Sequence, residues 1–225
     1  MPAPDRPSLE LDHLVCLVDD LDAPSRTLQR AGWVLDSGTI HIGQGTRNRR
    51  LAWPEHHLEL LCVTDEDEAG TSPLRFDRRA RWRSTGASPF GVGLRGTLTP
   101  AEQDDFWLYE EAGARIWIHH DNERAPHRPM LFVIAAQGAA MTRRRPGSGP
   151  AALPAHRPGG LLTQVLLSGT EPAPLPPYTG PPIIQRVGVA HLDLIVDTGQ
   201  QPLPITPILT LGPPRAAATP EPPGG

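Results

Sequence analysis

Two side chains able to trade a proton, His13 and Glu59, sit inside two apolar runs, "LDHLVCLV" at 11–18 and "HLELLCV" at 57–63. Such runs read as strands, whose side chains alternate between faces. In the first, Leu11, His13, Val15 and Leu17 share one face, and Asp12, Leu14, Cys16 and Val18 the other. In the second, His57, Glu59, Leu61 and Val63 share one face, and Leu58, Leu60 and Cys62 the other. The faces carrying Leu14, Cys16 and Val18 and Leu58, Leu60 and Cys62 belong under a helix, which makes both cysteines reduced core residues. The opposite face gathers His13 and Glu59, which could move a proton at a carbon beside a polarised oxygen.

A third run, "TIHIGQGTRNRR" at 39–50, supplies the polar neighbours. An even turn at Pro54-Glu55 sets Leu51 and Trp53 on the helix side. Ala52 then opposes His57, Arg50 opposes Glu59 and Asn48 opposes Leu61. The odd register would bury Arg50 unpaired under the helix, which is costly. Arg50, Asn48 and Thr46 therefore join the face of His13 and Glu59, while Arg47 and Arg49 reach solvent. The loop with His41, Gly43 and Gly45 crosses the mouth of this pocket, where glycines allow close backbone approach to a ligand. The expected substrate-binding residues are His41, Gly43, Gly45, Asn48 and Arg50. No Lys-Ser/Thr or helix follows the glycines, which excludes a phosphate loop and a dinucleotide fingerprint. His56 and His57 fall at the hairpin turn and read as solvated, with entry of His57 into the pocket as the alternative.

The elements that carry these residues repeat. The first strand leads to a helix over 22–31, with Asp22 as N-cap, Pro24 in the first turn and Gly32 as the stop. "WVLDSG" at 33–38 reads as a second strand, 46–53 as a third and 57–63 as a fourth. A polar connector spans 65–87. A second unit follows: a strand at 88–96, a helix over 100–111 opened by a Thr99/Glu102 capping box, and strands at 115–120 and 128–136. The last third offers strands at 161–168, 188–196 and 205–211, with a proline-rich stretch where a module would place its helix. The expected organisation is one domain over 1–212, with modules at 9–65 and 86–140 and an irregular strand-rich part at 156–211. A disordered Pro/Gly/Ala tail at 213–225 completes it. The fold class is α+β: paired βαβββ modules forming a curved mixed sheet with helices on its outer face.

Composition narrows the partners. The chain has 225 residues, 28 prolines and 22 glycines, which favours short strands over long helices. All 21 basic residues are arginine, and the formal net charge is −4. A basic cluster, "RRRPG" at 143–147, lies in a loop pattern. Nothing supplies the concentrated positive charge that nucleic-acid binding needs. Two cysteines make no disulfide framework. No apolar run approaches the ~18 residues that span a bilayer, and the N-terminus has no signal-peptide pattern. The expectation is a cytoplasmic protein, monomer or homodimer, with a small-molecule ligand or substrate and neither nucleic acid nor membrane as partner. No Ser-His-Asp arrangement or nucleophile elbow suggests hydrolysis.

"LDHLVCLVDDLDA" opening the first unit, "HIGQGTRN" before its third strand and "HLELLCV" as its fourth resemble glyoxalase-like proteins of the vicinal oxygen chelate (glyoxalase/bleomycin resistance/dioxygenase) superfamily. "GASPFGVGLRG" and "HRPGGLLTQVLLSG" resemble segments of a bacterial branch of the same group. The resemblance covers most of residues 9–170. It implies a divalent metal held by the first and fourth strands of each module, which places His13 and Glu59 at ligand positions. A histidine nitrogen and a carboxylate oxygen suit Zn, Fe, Mn or Ni. The second module departs from the pattern. Neither "PFGVGLRG" nor "MLFVIAA" carries His or Glu, and His119, His120, His156 and His191 lie elsewhere.

Two functions follow, with a structural or regulatory partner whose pocket is vestigial as a third option. In one, a metal-dependent lyase, isomerase or dioxygenase uses His13 and Glu59 as metal ligands and catalytic groups. In the other, the same cleft binds or sequesters a small molecule without metal. Glu59 is then held by Arg50 across the strands, and His13 by hydrogen bonds.

Overall fold

The computed structural model describes residues 8–111, 114–135, 160–197 and 201–213. The basic cluster at 143–147, His156 and residues 214–225 of the expected tail lie outside the described residues.

Two βαβββ modules meet along one seam. The first runs β1 (Leu9–Leu17), α1 (Asp22–Arg30), β2 (Ile40–His41), β3 (Thr46–Ala52) and β4 (His57–Val63). Three short helices form the connector: α2 (Glu66–Thr71), α3 (Phe76–Ala80) and α4 (Trp82–Thr85). The second module runs β5 (Phe90–Gly96), α5 (Pro100–Gln103), β6 (Phe106–Glu111), β7 (Ala114–His119), α6 (Asp121–Arg124) and β8 (Met130–Ala135). Together they build an eight-stranded sheet in the order β2-β3-β4-β1-β5-β8-β7-β6. The two halves mirror each other about the antiparallel β1–β5 contact, and each first strand lies parallel to its module's fourth. This is the expected α+β architecture.

The β3–β4 hairpin has the register expected from burying Leu51 and Trp53: Asn48 faces Leu61, Arg50 faces Glu59 and Ala52 faces His57. Leu14, Cys16, Leu58, Leu60 and Cys62 share one core with Leu28 of α1, and both cysteines are free. The outer face carries more than helices. A second sheet, in the order β10-β9-β11-β13-β12, is built from β9 (Leu162–Gly169), β10 (Ile183–Val187), β11 (His191–Val196), β12 (Leu203–Thr206) and β13 (Leu209–Gly212). Its Val165, Leu167, Leu192, Leu194, Leu209 and Leu211 join the same core. No described helix is long and apolar enough to cross a membrane.

Four local expectations need correction. The expected helix over 100–111 stops at Gln103. Its capping box is present, but "FWLYEE" continues as β6, where alternating aromatic residues face two different packed layers. Residues 33–38 form no strand. Their chain is held by side chains instead, since the Asp36 carboxylate accepts from the backbone N–H groups of Arg50 (2.8 Å) and Gly38 (3.1 Å). The expected strand 205–211 is two strands with a turn between them, β12 and β13. The N-terminus of α1 is capped by Asp20, whose carboxylate accepts from Asp22 N and Ala23 N, rather than by Asp22.

Candidate functional site

Between the inner face of the large sheet and the connector lies a cavity of about 550 Å³, within the usual range for a small-molecule site. One end is polar, lined by Asp12, His13, His41, Asn48, Arg50, His57 and Glu59. The rest is apolar, with Leu74 and Phe76 from the connector, Tyr109, Ile116 and Ile118 from β6 and β7, and Met130, Phe132 and Ile134 from β8. Ile40 and Ile42 lie at the mouth and are 67% and 82% exposed.

His13 occupies the centre of the polar end. Its Nδ1 lies 2.7 Å from Asp12 Oδ1 and its Nε2 lies 3.3 Å from Glu59 Oε2. Asp12 reaches this position through a β-bulge. The pairing of β1 with β5 slips between Leu11 and His13, so Leu11 stays in the outer core while Asp12 turns to the cavity. A bulge of this kind adds one residue and re-aims its side chain. Strict alternation, which sets Leu11 beside His13, fails at that residue. Strict alternation therefore hides Asp12 from the sequence.

Glu59 is held from the other side. Asn48 Nδ2 donates to Glu59 Oε1 and lies 3.3 Å from His41 Nε2, while Asn48 Oδ1 accepts from Thr39 N at 2.8 Å. His41 Nδ1 lies 3.0 Å from Thr46 Oγ1. Arg50 does not pair with Glu59, its cross-strand neighbour. Its Nε donates instead to Asp36 Oδ2 at 2.6 Å, because the loop that replaces the second strand brings a carboxylate to its side. The cross-strand ion pair expected between Arg50 and Glu59 is thus replaced by two separate pairs. His57 is also in the cavity. Its ring stacks on His13, with centroids 4.3 Å apart and planes inclined by 15°.

Charges at this end are strongly coupled. Burial alone would lower the His13 pKa, but the hydrogen bonds and charges of Asp12 and Glu59 raise it to about 9. Burial would raise Glu59, but His13, followed by the Asn48 amide, brings it down to about 2. Asp12 falls below its ordinary value against the pull of burial, chiefly through His13. His57 is pushed down to about 3 by burial and by the neighbouring imidazolium. At neutral pH the site therefore holds an imidazolium between two carboxylates, with a neutral imidazole on its face.

Gly43 and Gly45 do not line the cavity. Gly43 N donates to the Glu68 carboxylate of α2. Gly45 has φ +64°, and a Cβ there would sit 2.2 Å from Asp65 O and 2.6 Å from Ala69 N. These glycines dock the hairpin on α2, and Thr39 to Ile42 and Gln44 are the loop residues that reach the cavity.

Residues 11–106, from β1 to the start of β6, match the family model described as "Glyoxalase-like domain". This stretch of the chain is similar to a glyoxalase-like domain. None of the curated proteins compared matches it. Among solved structures, a hypothetical protein from Staphylococcus aureus aligns with TM-score 0.56 at 12% identity, over 91% of this chain and 99% of its own. Methylmalonyl-CoA epimerase from Mycobacterium tuberculosis aligns with TM-score 0.40 at 21% identity, over 57% and 88%. A hypothetical protein from Bacillus halodurans aligns with TM-score 0.42 at 14% identity, over 59% and 98%.

The family resemblance implies a divalent metal, and among the described residues Asp12, His13 and His57 bring candidate ligand atoms within 4.8 Å of one another. Most of these donors are nevertheless engaged with one another or with Arg95, the His57 ring excepted. Both His13 nitrogens face carboxylates, and both Asp12 oxygens have donors, His13 and Arg95 (3.3 Å). In the second module, the residues beside His13 on the first and fourth strands are Gly93 and Phe132, which offer no ligand. Gly93 is required there, since a Cβ would lie 2.7 Å from the Phe132 ring and 3.0 Å from His13 Cε1.

Proposed function

We propose that this protein binds a small amphipathic organic molecule without a metal. The molecule's polar head meets the His13–Glu59 end, and its apolar body lies along Phe132, Ile118 and Met130. The observation that carries this reading is the saturation of His13 by two carboxylates at the end of an otherwise apolar cavity. A metal would have to displace the proton from Nε2 and break the contacts that Asp12 and Glu59 make with His13, and the second module offers it only Gly93 and Phe132. Burial of the ligand body supplies affinity through apolar area removed from water, at roughly 25 cal/mol per Å² before the costs of association.

A second reading is enzymatic, of the isomerase or lyase kind. It is favoured by the longer of the two His13 contacts, 3.3 Å to Glu59. A carbonyl oxygen entering there would accept the Nε2 proton, and Glu59, released from the imidazolium, would take a proton from the adjacent carbon. Both protons return in the reverse step. In the resting state Glu59 is a weak base, which is why binding comes first.

Calorimetric titration of chelator-treated protein with octanamide tests the main reading. Binding to the native protein, and its loss in Ile116→Trp, which fills the cavity, is the expected result. No binding until Zn, Mn, Fe or Ni is restored would overturn it.

A further inference from the structure

The polar end of the cavity has a second cluster, set apart by what its hydrogen bonds leave over. Every carboxylate oxygen there is already matched to a donor. Glu59 is saturated by Asn48 and His13, Asp12 by His13 and Arg95, and Asp36 by Arg50 Nε and by the backbone of Arg50 and Gly38. The groups without a partner among the described residues are the Nη atoms of Arg50 and the ring nitrogens of His57. Both line the cavity. They are diagonal neighbours on the β3–β4 hairpin, since Arg50 opposes Glu59 and His57 opposes Ala52.

We infer that Arg50 and His57 form an oxyanion-accepting subsite, and that the molecule filling the cavity is a carboxylate with an apolar body. Arg50 is suited to this role because Asp36 anchors its Nε and fixes the plane of the fork. The Nη pair is thereby left to bind a planar anion side-on. His57 adds an N–H donor on a ring stacked against His13, centroid to centroid at 4.3 Å, so the carboxylate sits beside the His13–Glu59 pair rather than on it. The apolar body then runs along Phe132 toward Ile40 and Ile42, whose exposure it would cover. An amine head would find no free acceptor oxygen, and a neutral amide would leave one Arg50 donor unpaired.

This inference rests on the cavity reading above, and paired titrations keep the two distinguishable. Octanoate and octanamide, equal in length, are titrated into native protein, His57→Phe and Arg50→Gln. His57→Phe keeps a ring stacked on His13, and so remains informative if Arg50→Gln loosens the Asp36 loop. Octanoate is expected to bind native protein on the order of tenfold more tightly than octanamide, about 1.4 kcal/mol. That preference should be lost in His57→Phe and in Arg50→Gln while octanamide binding persists. Octanamide binding as tightly as octanoate would overturn the subsite and leave the cavity reading standing. Failure of both to bind would overturn the two together.

Discussion

His57 lies flat against His13, centroid to centroid at 4.3 Å, and the two rings hold opposite protonation states at neutral pH. Asp12 and Glu59 stabilise the charge on His13, and that charge together with burial keeps His57 neutral. The state of His57 therefore depends on that of His13, and the pair responds to both acid and base.

Stability should be greatest near pH 6.5 and fall on both sides. His13 has a raised folded pKa, so its contribution is complete below 6.5 and is lost as pH rises through about 9. His57 is depressed, so its contribution is present above 6.5 and is lost as pH falls toward about 3. Glu59 adds to the acid loss between 4.5 and about 2. The alkaline loss amounts to about 3 kcal/mol at most. Urea midpoints measured from pH 4 to pH 10 check this, and a flat profile between 6.5 and 9 would contradict the clamped imidazolium.

Replacing Glu59 by Gln removes one of the two carboxylates on His13 and leaves Asp12. The expected loss is about 2–3 kcal/mol of stability at pH 7, since a buried charge gives up a charged partner. The His13 pKa should fall toward its ordinary value. Denaturant midpoints and a histidine titration read the two effects, and an unchanged midpoint would mean that the pair contributes nothing.

Much of this arrangement is legible in the sequence. Alternation alone sets His13 and Glu59 on one face, and burial of Leu51 and Trp53 fixes the register of Arg50 and Asn48. What escapes it is non-periodic. Asp12 enters the cavity through a bulge that no residue type announces. Asp36 captures Arg50 from a loop that composition reads as a strand. Phe106, Trp107 and Tyr109 form a strand, although the preceding capping box marks a helix start. The outer sheet could not be placed because its strands pair over long separations through a proline-rich connection, where local pattern carries no register.

Gly93→Ala should damage the site through packing alone. The added Cβ falls 2.7 Å from Phe132 and 3.0 Å from His13, and forcing it in costs about 1–3 kcal/mol. Octanamide binding should weaken along with stability. A variant of native stability and affinity would show that the wall beside His13 is loosely packed.

Cys16 and Cys62 should resist thiol reagents in the native protein and react once it is unfolded. Cys16 is fully buried, and burial pushes its thiol up to about 12. Cys62 is 7% exposed, and burial raises it as well. The thiolate is the reactive form. Labelling of either residue within minutes under native conditions would contradict their place beneath α1.

The most direct measurement is nitrogen NMR of the histidine rings in chelator-treated protein at pH 7, before and after one equivalent of Zn is added. His13 should show both nitrogens protonated and His57 a single protonated nitrogen, with neither changed by the metal. A His13 nitrogen that loses its proton and takes a metal-bound shift on adding Zn would contradict the metal-free site.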